Sequence, residues 1–179
     1  MVRAVSLQAS DFQRALGSRP VSRTAHFVLH ALPVSVSPDP AAELSTGQTP
    51  PPEPSVDDSC LDVSDSPVVN GTAWRLGLVL PKKQARRSVT RSLIRHQARE
   101  ALRRHGPAVW QAEPQVCGRV DGWVVRLRSP FDRQQFPSAA SDALKAVVRD
   151  ELDELWGRLQ RGGWRLPDAG SGRPSGGAR

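Results

Sequence analysis

The sequence predicts an α+β domain, a two-layer sandwich with helices over the apolar face of a sheet. Three observations carry that expectation. The runs AHFVLHAL, WRLGLVL and GWVVRLR alternate with a period of two, and each has one wholly apolar face. Leu144, Val147, Val148, Leu152, Leu155, Trp156 and Leu159 recur at spacings of three and four, the stripe of a core helix. Between the second and third strands, Arg87, Arg91, Arg95, Arg99 and Arg103 fall at every fourth position, which on a helix stacks them along one slowly drifting line.

Taken in order, Ser10 or Asp11 can cap a short helix through Leu16 that Gly17 ends, with Phe12, Ala15 and Leu16 on one side. The first strand puts Phe27 and Leu29 on one face and His26, Val28 and His30 on the other. Along a strand, His26 and His30 lie about 13 Å apart, too far to share a metal ion. Residues 37–70 then hold seven acids, no Lys or Arg, and the cluster TPPPEP. Such a segment is expected to be disordered, an acidic insert dividing a single domain into residues 1–36 and 71–161. The strands flanking it read as neighbours, so the insert reads as an excursion from a hairpin. WRLGLVL follows, with Trp74, Leu76, Leu78 and Leu80 opposite Arg75, Gly77 and Val79, and Pro81 ends it. The basic helix is expected to stop at Gly106-Pro107, and the next strand sets Trp123, Val125 and Leu127 against Val124, Arg126 and Arg128. Pro137-Ser138 is expected to open the last helix, and the glycine-rich residues 162–179 to form a disordered tail.

Composition narrows the function. The chain has 179 residues, a net charge of +7 and a pI near 10.8, so its partner should be anionic. Without the seven acids of the insert, 25 basic residues face 11 acidic ones, about +14 for the remainder. No run approaches a membrane span and the N-terminus lacks a secretory h-region, which points to a cytoplasmic protein that does not engage a membrane. Cys60 and Cys117 are isolated, as free thiols would be.

The charge is concentrated. Residues 82–104, KKQARRSVTRSLIRHQAREALRR, carry nine basic residues against one acid, Glu100, a net +8. Each like-charge pair at i,i+4 destabilises an isolated helix by roughly 0.2–0.5 kcal/mol, a cost that a polyanion relieves. A solvated helix face would interleave Glu with its Lys and Arg. A narrow apolar stripe of Val89, Leu93, Ile94 and Ala101 faces the core. The stretch therefore reads as a nucleic-acid-binding helix.

The run LGLVLPKKQARRSVTRSLIRHQARE resembles the signature of the bacterial ribonuclease P protein: a hydrophobic strand, a Lys-Lys pair, then a helix reading Arg-Asn-x-x-Lys-Arg-x-x-Arg-Glu. The matching positions are Arg91, Ser92, Arg95, His96, Arg99 and Glu100. Ser92 stands where the family usually has Asn and His96 where it usually has Arg. DFQRAL, AHFVLH and GWVVRLRSP extend the likeness over most of residues 10–160, the insert excepted. The resemblance implies an αβββαβα order related to the second domain of a small-subunit ribosomal protein, with a left-handed crossover that parallel connections rarely adopt.

The residues themselves show no catalytic constellation. The histidines lack a partnered carboxylate in the sequence pattern, and Glu151 and Glu154 read as the solvated face of the last helix. What the resemblance implies is a subunit of an endoribonuclease: an RNA subunit holds Mg²⁺ and hydrolyses the bond that frees the 5′ leader from precursor tRNA, and the protein binds no metal of its own. Lys82, Lys83, Arg87, Arg91, Ser92, Arg95, His96 and Arg99 would then meet the catalytic RNA. Phe12, Leu16, Val28, His30, Arg126 and Arg128 would hold the leader, one monomeric protein serving each RNA. Phe12 and Leu16 also fit a role as core residues tying the first helix to the sheet. A structural or ribosomal RNA-binding protein would share the basic helix, because phosphate contacts carry little sequence information. A DNA-binding regulator would need a second helix beside it, where the sequence has strands.

Overall fold

A computed structural model describes residues 7–34, 68–69, 72–132 and 134–166. The chain runs α1 (Ala9–Gly17), β1 (Ser22–Arg23), β2 (Phe27–Pro33), β3 (Val68–Val69), β4 (Thr72–Ala73), β5 (Arg75–Val79), α2 (Ser88–Ala112), α3 (Pro114–Cys117), β6 (Val120–Leu127) and α4 (Asp142–Gln160). The fold is α+β, built on a four-stranded sheet in the order β1-β2-β6-β5, with β3 and β4 as a separate small hairpin.

The sheet order corrects the hairpin expectation. β6 lies between β2 and β5, antiparallel to the first and parallel to the second. Its residues explain the placement: Gly122, Trp123, Val124 and Val125 are all buried, so both faces of this strand need cover, and the centre of the sheet supplies it. Any chain between β2 and β5 must therefore pass the end of a third strand. The acidic segment lies outside the described residues apart from Val68–Val69, the first strand of the small hairpin.

Two apolar clusters sit on opposite faces. The larger joins Phe27, Leu29, Trp123, Val125 and Leu127 of the sheet to Ile94, Ala98, Ala101 and Leu102 of α2 and Leu144, Val148, Leu152 and Leu155 of α4. All five tryptophans belong here: Trp123 packs on Trp74 (5.4 Å between ring centroids), Trp156 (5.2 Å) and Trp164 (5.4 Å), and Trp74 reaches Trp110 at 5.7 Å. The smaller cluster, Leu7, Ala15, Leu32 and Val124 with Phe12, Leu16 and Val79, seats α1 on the other face. The two-layer expectation thus describes α2 and α4, while α1 adds a partial third layer. Gly77 allows it, because a Cβ there would come within 2.6 Å of both Leu7 and Phe12.

Helix boundaries moved wherever packing outweighed local signals. α1 begins ahead of the expected caps, and Asp11 accepts the Gln8 N–H (3.1 Å) from inside the first turn. α2 continues through Gly106-Pro107 to Ala112. A proline in a helix interior costs about 3 kcal/mol; burial of Val109 and the packing of Trp110 on Trp74 beyond it offset that cost. α4 opens at Asp142, where Ser141 Oγ accepts the Leu144 N–H (3.2 Å), so the expected start at Pro137-Ser138 is a loop instead. Gly162 and Gly163, at φ +75° and +77°, turn the chain so that Trp164 and Leu166 pack on the core. The expected tail therefore begins with a packed segment, and residues 167–179 lie outside the described residues.

Glu151 on α4 differs from expectation, and Asp153 beside it takes partners that the sequence did not suggest. Glu151 is half-buried against His26, and Asp153 accepts from Arg104 (2.5 Å) and His105 Nε2 (2.9 Å), tying α4 to α2. Burial pushes the Asp153 carboxyl up, but these bonds outweigh it and hold the group below its ordinary range. His26 and His105 thus do have carboxylate partners, across 125 and 48 positions of sequence that no local pattern spans. Glu154 conforms to the solvated reading, exposed and paired with Arg158 (2.5 Å).

Candidate nucleic-acid interface

Because β5 and β6 are parallel, their C-terminal ends lie at one edge of the sheet, together with the start of the antiparallel β2. β5 ends at Val79, and Gln84 and Ala85 donate to Pro81 O (2.9 and 3.0 Å), folding residues 81–85 into a turn that exposes Lys82 and Lys83. Gln84 Nε2 donates to Arg128 O (2.6 Å), and Arg128 N–H to His26 O (2.8 Å), so this turn is fastened to the end of β6 and to β2. α2 starts three residues later.

On α2, Ile94, Gln97, Ala98, Ala101 and Leu102 point inward. The opposite face presents Ser92 and His96, both exposed, flanked by Arg95 and Arg99, whose stems are partly covered. The two departures from the family signature thus sit at the centre of the outward face. Val89, expected in the apolar stripe, is 53% exposed on this side instead, because the helix phase is set by Ile94 and Leu102. No acid occupies the first turn of α2 and no side chain caps it, so the positive end of the helix adds to the basic surface. Farther along, Arg103 pairs with Glu100 and Arg104 with Asp153.

The remaining signature arginines differ in what they hold. Arg87 Nη1 donates to Pro137 O (2.7 Å), and Thr90 Oγ1 to Ala139 O (2.8 Å), joining the start of α2 to the loop before α4. Arg91 Nη1 donates to both Ala85 O and Arg86 O, each at 2.9 Å.

The second face of the sheet carries a row read directly from the register: Arg23 opposite Val28, Val28 opposite Arg126, Arg126 opposite Val79. Arg23, Arg126 and Arg128 are exposed and Val28 half-buried, beside the part of the sheet that α1 covers. Arg23 escaped the sequence reading because β1 is only two residues long, too short for any alternation to register. Of the six residues expected to hold a leader, Val28 and Arg126 are adjacent and Arg128 lies at the same edge. Phe12 and Leu16 are half-buried in the small cluster, and His30 is 5% exposed beneath α1. Burial, opposed by the Ser18 and Ala15 carbonyls and reinforced by Arg126 and Arg23, holds the His30 imidazole below its ordinary pKa.

Among the described residues there is no group of three or more His, Cys, Asp or Glu that could hold a metal ion, and no helix long and apolar enough to cross a membrane. Cys117 is buried, and burial with the Glu113 charge nearby pushes its thiol up to about 11. The described residues thus assemble cations around one end of the sheet.

Comparison with known proteins shows the family. Residues 3–160 match the family model Ribonuclease P. The chain is 31% identical over 157 residues to the ribonuclease P protein component of Paraburkholderia xenovorans (strain LB400), covering 87% of this chain and 79% of that one. It is 32% identical over 157 residues to the same component of Burkholderia mallei (strain SAVP1), covering 87% and 81%. Over 82 residues it is 39% identical to that of Ralstonia pickettii (strain 12J), covering 46% and 51%. No solved structure gives a significant match. With a family model matching residues 3–160 of its 179, and relatives more than 30% identical over most of their own length, the chain belongs to the ribonuclease P protein family.

Proposed function

We propose that the outward face of α2 and the turn before it bind the catalytic RNA of ribonuclease P, while the exposed row of the sheet holds the 5′ leader of precursor tRNA. Membership of the family makes the chain a tRNA 5′-processing subunit of an endoribonuclease. The observation that carries the division of labour is the sheet edge itself. There the turn bearing Lys82 and Lys83 is fastened through Gln84 to the end of β6 that carries Arg126 and Arg128, so one basic surface can serve two RNA segments.

Each part suits its target. Exposed Lys83 and half-buried Arg95 and Arg99 would present charge to phosphates, with arginine forks able to take two oxygens at once. Ser92 and His96 add hydrogen-bonding groups at the centre of the face. The leader is single-stranded, and a row of cations beside apolar Val28 and Val79 offers backbone neutralisation plus a surface for bases. Phe12, Leu16 and His30 contribute by shaping the wall that α1 forms. Hydrolysis belongs to the RNA subunit with its Mg²⁺, and the protein acts as a monomer, one copy per RNA, in the cytoplasm. The same reading includes kinship of the sheet with the second domain of a small-subunit ribosomal protein, with its left-handed crossover from β5 to β6. A purely structural RNA-binding role is not favoured, since the relatives covering most of their own length carry the ribonuclease P name.

Reconstitution with the cognate catalytic RNA at low Mg²⁺, with and without this protein, tests the proposal. The protein should lower the Mg²⁺ requirement for precursor cleavage. An unchanged requirement, with the protein folded, would reject it.

A further inference from the structure

The Arg91 head group is spent within the chain itself. It is half-buried, and Nη1 donates to the carbonyls of Ala85 and Arg86, six and five residues earlier in the chain. Those carbonyls end the turn that displays Lys82 and Lys83, and they precede Arg87, the residue from which α2 springs. Ala85 is itself buried, and its N–H is bonded to Pro81 O, so the turn is closed at one end by Pro81 and at the other by Arg91. A guanidinium already donating to two carbonyls is poorly placed to grip a phosphate as well.

We propose that Arg91 is a positioning residue: it acts on the catalytic RNA through the 81–87 connection, fixing the direction in which Lys82, Lys83, Arg86 and Arg87 are presented. The inference rests on the RNA-binding reading given above. Lysine cannot replace it, because a single ammonium on a flexible stem does not reproduce a planar fork that spans two adjacent carbonyls. Charge at position 91 is therefore not what the site requires.

The test uses the full chain and the cognate catalytic RNA. Affinity is measured across a salt series for the wild type, Arg91→Lys, Arg91→Ala, Lys83→Ala and the Arg91→Ala/Lys83→Ala double variant. A direct phosphate contact would be largely rescued by Lys, would lower the salt slope by about one in Ala, and would be additive with Lys83. A positioning residue gives a different pattern: Arg91→Lys loses about tenfold in affinity like Arg91→Ala, the slope falls by about two, and the Lys83 change costs less once Arg91 is gone. Hydrogen exchange without RNA provides a second measurement. The Ala85 amide should lose protection in Arg91→Lys while amides in the middle of α2 keep theirs, which also shows that the variant is folded. Wild-type affinity with no salt dependence would overturn the RNA reading and the inference together. Wild-type-like behaviour of Arg91→Lys in affinity, or an unchanged Ala85 amide, would overturn the assignment of Arg91 alone.

Discussion

Glu151 on α4 holds His26 at two points, accepting the backbone N–H through Oε2 at 2.8 Å and meeting ring Nδ1 through Oε1 at 2.5 Å, while Phe131 stacks on the imidazole at 4.2 Å. This contact pins the entrance of β2 to the last helix, at the sheet edge where Arg128 and the Lys82-Lys83 turn also lie. Truncating the carboxylate leaves a half-buried N–H without its acceptor. Glu151→Ala should destabilise the fold by about 1–3 kcal/mol, and Glu151→Gln, which keeps an acceptor, by less. Denaturant unfolding of the two variants checks the ordering; equal losses would mean that charge alone matters.

The outward face of α2 makes a separate prediction. Arg95→Ala and Arg99→Ala should each weaken binding to the catalytic RNA and lower the salt slope by about one. His96→Arg should tighten binding modestly at pH 7.5, because the position is exposed at the centre of that face. Binding by His96→Arg equal to wild type, with the helix intact by circular dichroism, would place position 96 away from the RNA.

The sheet row predicts a difference between substrates. Arg126→Ala, and to a smaller degree Val28→Ala, should reduce affinity for precursor tRNA with a leader of several nucleotides, and leave mature tRNA nearly unaffected. Equal losses on both would assign Arg126 to general electrostatics. Arg23→Ala should behave like Arg126→Ala, since both flank Val28 in the register.

His30 sets a pH dependence. Its folded pKa lies below the ordinary value of 6.5, so the unfolded chain takes up the proton first. The stability tied to neutral His30 is complete above the unfolded value and is lost as pH falls through the folded one. Between pH 7.5 and about 5.5, the wild type should lose more stability than His30→Gln, measured by denaturant unfolding at each pH. Parallel losses would show that other groups dominate acid sensitivity.

Replacing the acidic segment tests whether the fold depends on it. Since β6 separates β2 from β5, those strands lie two spacings apart, about 10 Å, a gap that a linker of a few residues spans. A linker of about ten Gly and Ser residues in place of residues 37–66 should give a folded protein that still supports precursor cleavage, because loop length costs little closure entropy. If the seven acids compete for the basic surface, the same replacement should raise affinity for unrelated RNA more at low salt than at high salt. Loss of folding or of precursor cleavage on replacement would make the segment part of the domain.

The sequence by itself determined the class of the fold, the faces of its strands and the basic helix, because each rests on periodicity within a dozen residues. Phe27 and Leu29, Trp123 and Val125, and the stripe from Leu144 to Leu159 are buried as their spacing required, with Val147 partly so. Of the positions matching the family signature, Ser92 and His96 are exposed on α2, with Arg95 and Arg99 half-buried beside them. Only the tertiary structure decided what depends on partners distant in the chain. It placed β6, a strand buried on both faces, between β2 and β5, because its pairing partners lie far from it in the chain. It carried α2 past Pro107, because Trp110 had Trp74 to pack against. It drew Glu151 to His26 and Asp153 to Arg104 and His105, pairings that no local pattern encodes. It also turned Arg91 back onto the 85–86 carbonyls, since helical spacing gives the angle at which a side chain leaves the backbone, and the surrounding fold determines where its head group can bond.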